Sequence, residues 1–364
     1  MRSNATSNRC LAERLRRIRT RLADRRLTAA LFYANETRPE FVRYVCPAPL
    51  AAPYAFALLT RDDMRLFVEA PWHDSILPTQ AEVATAVGRA MDEHGPRVGL
   101  VNGSLVEVGL LEQMQAVAPH IELVDLTSDI VELRLVKDED ELAAHRRAGE
   151  LADLGYQAFM RAARPGVKQY ELVAEVEAAL LELGAEDNFM LIGSGGRDVR
   201  AMTPPSSRAL AFGDNVITEL TPRVDGYYTQ ICRTLVVGPP SDDQCRSFDV
   251  FKRAADAALA IIRPGVTAAD VARAENDVFR AEGLGEYCGA AYTRVRGHGL
   301  GLHFDETPAV LEDAPLALRE GMVFIPHPNT YNPWAGYMVF GDTVVVTAAG
   351  CELLTRTPRE LLHV

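Results

Sequence analysis

Residues 297–308 read GHGLGLHFDETP. The glycines on either side of His298 let the backbone come close to a ligand and leave the ring free to face a cavity; the plainer alternative is a histidine that only makes a structural hydrogen bond. The same segment carries His303, Asp305 and Glu306, polar groups that serve either as substrate contacts or as a solvated turn. Arg296, just before it, is either an anion clamp or a structural fork to a nearby carboxylate. Further on, His327 stands between Pro326 and Pro328 in GMVFIPHP, which fixes its direction and makes it a pocket residue or a packed replacement. Upstream, GYYTQICRTLVVG at 226–238 alternates as a strand, with Tyr228, Gln230 and Cys232 in phase on one face. Gln230 cannot exchange protons, so it either orients a substrate or is a satisfied buried amide. Glu219 follows the apolar NVIT of an inner strand, where a carboxylate is costly unless paired or functional.

Working outward, the second half of the chain places a helix from Glu141 to about Ala163, a turn RPGV at 164–167 and a helix at 169–183. Strands at 188–193, 214–221 and 225–237 follow, then a helix at 246–263, a second PGV turn at 264–266 and a helix at 267–283. The repeated order suggests two similar halves with a pocket between them. In the first half, Leu11, Leu15, Ile18 and Leu22 form an amphipathic stripe over 9–27. Short apolar runs at 28–34, 54–59, 64–69 and 97–101 alternate with helical stretches around 80–94 and 108–117, the pattern of an α/β domain. A charge-rich segment at 129–141 separates the halves. The expected domains are therefore 1–130 and 131–364, since 364 residues exceed one ordinary core.

A net charge of −12 and only three lysines, at 137, 168 and 252, argue against a nucleic-acid or anionic-membrane surface. Six cysteines without a CxxC pair fit reduced thiols in a reducing compartment. No apolar run of membrane-spanning length stands out. The expectation is a cytoplasmic protein with a small-molecule partner.

Four stretches in order, LRLVKDEDELAAHRRA at 133–148, GYYTQICRTLVVG at 226–238, GHGLGLHFDETP at 297–308 and GMVF with GDTVVVTAAGCELLT over 321–355, resemble the pita-bread family of creatinase, aminopeptidase P and prolidase, the M24-type peptidases. The resemblance implies a mixed α/β (α+β) fold, with a small amino-terminal α/β domain followed by a pita-bread domain, and a homodimer in which one protomer's small domain helps cover the other's pocket. Metal-dependent members hold two divalent ions with two Asp, one His and two Glu. By resemblance those positions are Glu219, Gln230, His298, His327 and Gly341 here, which leaves few carboxylates, and Asp305 stands at the family's accessory His. Creatinase is similar in the GYYT and RT phrase, but its acid/base His corresponds to Met202.

This reading predicts a hydrolase-like enzyme of creatinase type that is not a standard metallopeptidase. It would hydrolyse or rearrange a C–N bond of a small polar molecule with no cofactor. Glu219, His298 and His327 would supply metal-independent acid/base catalysis, and Gln230, Tyr228, Arg296, His303, Asp305 and Glu306 would bind substrate. Two alternatives stand beside it. Glu219, His298 and His327 could hold a single divalent transition metal such as Fe, or the chain could be an inactive peptide- or protein-binding pseudo-peptidase.

Overall fold

The computed structural model describes residues 4–49, 52–68 and 80–364. The chain divides into two compact units, Met1–Arg134 and Leu135–Val364.

The first unit is an α/β layer. Its elements are α1 (Asn4–Asp24), β1 (Ala29–Asn35), α2 (Glu40–Val45), β2 (Tyr54–Thr60), β3 (Met64–Val68), α3 (Gln80–Asp92), β4 (Arg97–Val101), α4 (Val108–Val117), β5 (Glu122–Asp125) and α5 (Thr127–Leu135). The strands form one sheet in the order β3-β2-β1-β4-β5. β2 is antiparallel to β1 and β3, whereas β4 is parallel to β1 and β5. β1, at the centre, is apolar and buried over all but its last residue, as expected of a strand covered on both faces. Val83, Val87 and Met91 of α3 and Leu110 and Met114 of α4 seal the sheet. Residue 69, the last of the strand expected at 64–69, lies outside the described residues. The sequence reading gave no element at α2, β5 or α5.

The second unit begins with α6 (Glu139–Ala162), α7 (Gln169–Glu182), β6 (Asp187–Gly195), β7 (Asn215–Val224), β8 (Tyr227–Tyr228), β9 (Ile231–Val236), α8 (Asp242–Ile261) and α9 (Ala268–Ala281). It ends with the short strands β10 (Gly297–Gly299), β11 (Glu306–Ala309), β12 (Val323–Pro326), β13 (Asn329–Asn332), β14 (Gly336–Val339), β15 (Gly341–Asp342), β16 (Val344–Thr347), β17 (Gly350–Leu353) and β18 (Leu362–His363). The start of α6 is set by a capping box: the Asp138 carboxylate accepts from the Asp140 and Glu141 amides, while Glu141 accepts from the Asp138 amide.

Two helix pairs back two sheets. α6 and α7 lie on β15-β9-β7-β6, and the other half pairs α8 and α9 with β11-β10-β12-β16-β17. The two PGV turns are built alike. Gly166 and Gly265 both sit at φ 90°, a left-handed value that glycine takes without a Cβ penalty. Each donates its amide to a leucine carbonyl downstream, Leu210 at 2.8 Å and Leu318 at 2.9 Å. Between the sheets, Ile217, Cys232, Leu300, Val323, Ile325, Tyr337 and Val339 form an inner core. Its polar gap holds the residues described next.

Candidate functional site

The register of the first sheet does most of the positioning. β7 and β9 are antiparallel, and Glu219 stands directly across from Cys232. β15 pairs with β9 on the other side, placing Gly341 opposite Cys232. Directly paired residues face the same side of a sheet, so Glu219, Cys232 and the bare Cα of Gly341 form one row. A Cβ at position 341 would lie 2.5 Å from the Cβ of His327. Glycine there is thus a steric requirement, since the His327 Cβ and the Pro326 carbonyl oxygen, 2.7 Å from that position, take the room.

His327 is buried, and neither of its ring nitrogens has a partner among the described residues. Burial, then the nearby His298 and Arg296, pushes its pKa well below the usual histidine value, so the ring is neutral. One donor atom each from Glu219, Cys232 and His327 lie within 4.8 Å of one another. Burial, then the Asp305 charge, pushes the Glu219 carboxyl up to about 7. Burial and Glu219 likewise push the Cys232 thiol well up. A carboxyl, a thiol and an imidazole packed in this way are costly as a purely structural group.

His298, on β10, stands beside this trio, its ring centre 5.2 Å from that of His327. Its Nδ1 lies 3.1 Å from the Gly299 carbonyl. A carbonyl only accepts, so Nδ1 carries the proton and Nε2 keeps a lone pair. Asp305 Oδ1 is 3.9 Å from Nδ1 and is largely exposed. Burial lowers the His298 pKa, while Asp305 partly offsets that.

The remaining residues named from the sequence are placed as follows. Gln230 donates from Nε2 to the Cys232 sulfur at 3.2 Å, and its main chain is held on both sides by the Thr343 hydroxyl. The Tyr228 hydroxyl donates to Asp187 at 2.8 Å and accepts from Arg223 at 3.1 Å. Arg296 is fully buried. It donates to the Asn276 side chain at 2.6 Å and to the carbonyls of Thr293, Val295 and Asn329. The His303 ring stacks on Phe304, and the Glu306 carboxylate accepts from the His303 amide. The sequence reading put Cys232 on the right face without giving it a role. Its in-phase spacing from Gln230 was the available signal.

The model of Metallopeptidase family M24 matches residues 143–348, more than half of the chain. The chain belongs to that family. It is 29% identical over 328 residues to the Xaa-Pro dipeptidase of Pyrococcus horikoshii, covering 88% of this chain and 92% of that one. It is 31% identical over 235 residues to the Xaa-Pro dipeptidase of Pyrococcus furiosus, covering 64% and 66%. The solved prolidase from Pyrococcus horikoshii superposes with a TM-score of 0.82 at 26% identity, over 96% of this chain and 100% of that chain. The mixed α/β architecture is therefore the pita-bread fold of that family.

These likenesses correct three expectations. A non-peptidase acting on a small polar molecule by metal-independent acid/base catalysis is overturned, because relatives matching over most of the chain are Xaa-Pro dipeptidases. The expectation of no cofactor falls with it, since the family is one of metallopeptidases, and a divalent metal is compatible with the donors present. The further expectation that metallopeptidase activity is lost has no support either. The metal-free reading rested on the missing carboxylates, whereas an imidazole and a cysteine sulfur are also metal donors, and His327 and Cys232 stand beside Glu219.

Proposed function

We propose that this chain is a metal-dependent hydrolase of short peptides, with Xaa-Pro dipeptides as its substrate class. The observation that carries the reading is the buried His327 imidazole, with both nitrogens unpartnered, set against Glu219 in the pita-bread site of a metallopeptidase family. Glu219 and His327 would hold a divalent ion, which supplies Lewis-acid polarisation of the scissile carbonyl and of the attacking water.

The chain's own residues supply the rest. His298, its proton fixed on Nδ1, offers the Nε2 lone pair to take a proton from water as the C–O bond forms. It returns that proton to the amine as the C–N bond breaks. Gln230, held at its main chain by Thr343, keeps the strand bearing Cys232 in place. The polar loop of His303, Asp305 and Glu306 contributes substrate contacts, and Arg296 shapes the wall through its carbonyl fork.

Among the described residues, no helix is long and apolar enough to cross a membrane. The six free cysteines support a reducing, cytoplasmic setting. Resemblance supports a homodimer, which light scattering tests: a monomer at micromolar concentration contradicts it. The activity is tested by proline release from a panel of Xaa-Pro dipeptides with metal-loaded protein. Release is expected, and none across the panel contradicts the reading.

A further inference from the structure

We propose that this site binds one metal ion, not two, and that the Cys232 thiolate is one of its ligands beside Glu219 and His327, which makes it a site for a borderline-to-soft ion such as Zn(II), Co(II) or Fe(II). The inference rests on the reading of this site as metal-binding but concerns the number and kind of ion rather than the reaction.

The row across β7, β9 and β15 carries the argument. A pair of hard dications needs several carboxylates, of which at least one bridges the ions. In this row Glu219 is the only carboxylate, Cys232 follows it, and Gly341 has no side chain. No acid can be added at 341 without a shift of the main chain, because its Cβ would lie 2.5 Å from the His327 Cβ and 2.7 Å from the Pro326 carbonyl oxygen. The neighbouring Gln230 amide is neutral and directs one Nε2–H to the Cys232 sulfur. The second ion therefore lacks the carboxylate charge it needs.

A single ion fits. The three donor atoms lie within 4.8 Å of one another. Bonds of about 2.3 Å to sulfur and about 2.0–2.1 Å to nitrogen or oxygen would draw them in by roughly an ångström. His327 supplies two unpartnered ring nitrogens, the independent sign that this cluster is built for a ligand. Three protein donors would leave a fourth position for water. Thiolate and imidazole together favour Zn(II), Co(II) or Fe(II) over Mg(II) or Mn(II).

The test is a Co(II) titration of the metal-stripped full-length protein, read by absorbance. Saturation at one equivalent per chain is expected, with a near-ultraviolet sulfur-to-cobalt charge-transfer band. Cys232→Ser should lose the band and weaken Co(II) binding at least about tenfold, the low end of what even an outer-sphere partner costs. Cys245→Ser, at an exposed thiol, should retain both. Two equivalents without a thiolate band, no binding, or a band that survives Cys232→Ser would each overturn the proposal. The wild-type titration decides even if the serine variant fails to fold. Dipeptide cleavage is measured separately, so a protein that binds one thiolate-ligated Co(II) yet cleaves nothing refutes the proposed function and leaves this inference standing.

Discussion

At the scale of single residues, the site rests on an exclusion between two positions. Position 341 takes only glycine without strain because the Cβ of His327 and the Pro326 carbonyl fill the adjoining space. Gly341→Ala should therefore destabilise the protein by about 1–3 kcal/mol through overpacking. Combining it with His327→Gly, which removes the Cβ that the new methyl meets, should recover at least about 0.5 kcal/mol relative to the sum of the single changes, because contacting residues couple. Denaturant unfolding of the four proteins measures this, and strict additivity would show that the two positions do not compete. His298 carries a different expectation. His298→Ala should lower kcat by about 10²-fold or more while bound metal stays unchanged, since the ring lies beside the three-donor cluster and not within it. Loss of the metal in that variant would instead make His298 a ligand.

Cys232 also shows where a sequence becomes hard to read. That it shares a face with Gln230 follows from strand alternation alone. That it lies across from Glu219 depends on register, and a slip of one residue would turn it to the opposite face. The sequence carries no local sign of register across the GY turn. The same holds for His327 and Gly341, whose exclusion appears only once β15 is seen beside the end of β12. His298 between its glycines was open to a local reading because its backbone requirement is local.

At the scale of elements, strands with continuous apolar runs were legible, and β4 falls on the expected 97–101. α2 was not: all six of its residues are buried, Glu40 and Arg43 included, so it presents no amphipathic stripe to detect. β5 has only four residues at a sheet edge, too short for any period. Two buried contacts between elements give measurable expectations. Arg233 on β9 and Asp342 on β15 form a fully buried ion pair at 2.6 Å, to which Arg359 and Thr355 add hydrogen bonds. Arg233→Met should cost about 3–5 kcal/mol, because it leaves a buried carboxylate short of its partner. A loss below 1 kcal/mol would show that Arg359 alone suffices.

His145 on α6 is the second contact. It is wholly buried, with Nδ1 3.3 Å from the Thr229 hydroxyl and no partner for Nε2 among the described residues. Burial, then Lys137, holds its pKa well below the ordinary 6.5. In the unfolded chain it takes up a proton near 6.5, but in the folded chain it does not. Its contribution is therefore complete above about pH 6.5 and lost as pH falls, at up to about 1.4 kcal/mol per pH unit. His145→Gln should flatten the fall of stability between pH 6.5 and 5. An unchanged slope would place the acid sensitivity elsewhere.

At the scale of the whole molecule, family membership, a pita-bread frame and an unusual donor set combine into one claim: a peptide hydrolase that works with a single ion at Glu219, Cys232 and His327. The two matching turns at Gly166 and Gly265 show how the frame brings this about, setting a helix pair behind each sheet so that strands from both halves face one gap. The most direct measurement is proline release from an Xaa-Pro dipeptide by the full-length protein after chelation and after stepwise return of Zn(II), Co(II) or Fe(II). No release is expected from the chelated protein, and full recovery is expected at about one equivalent of ion per chain. Equal release with and without chelator, recovery only at two equivalents, or no release from the reloaded protein would contradict that claim.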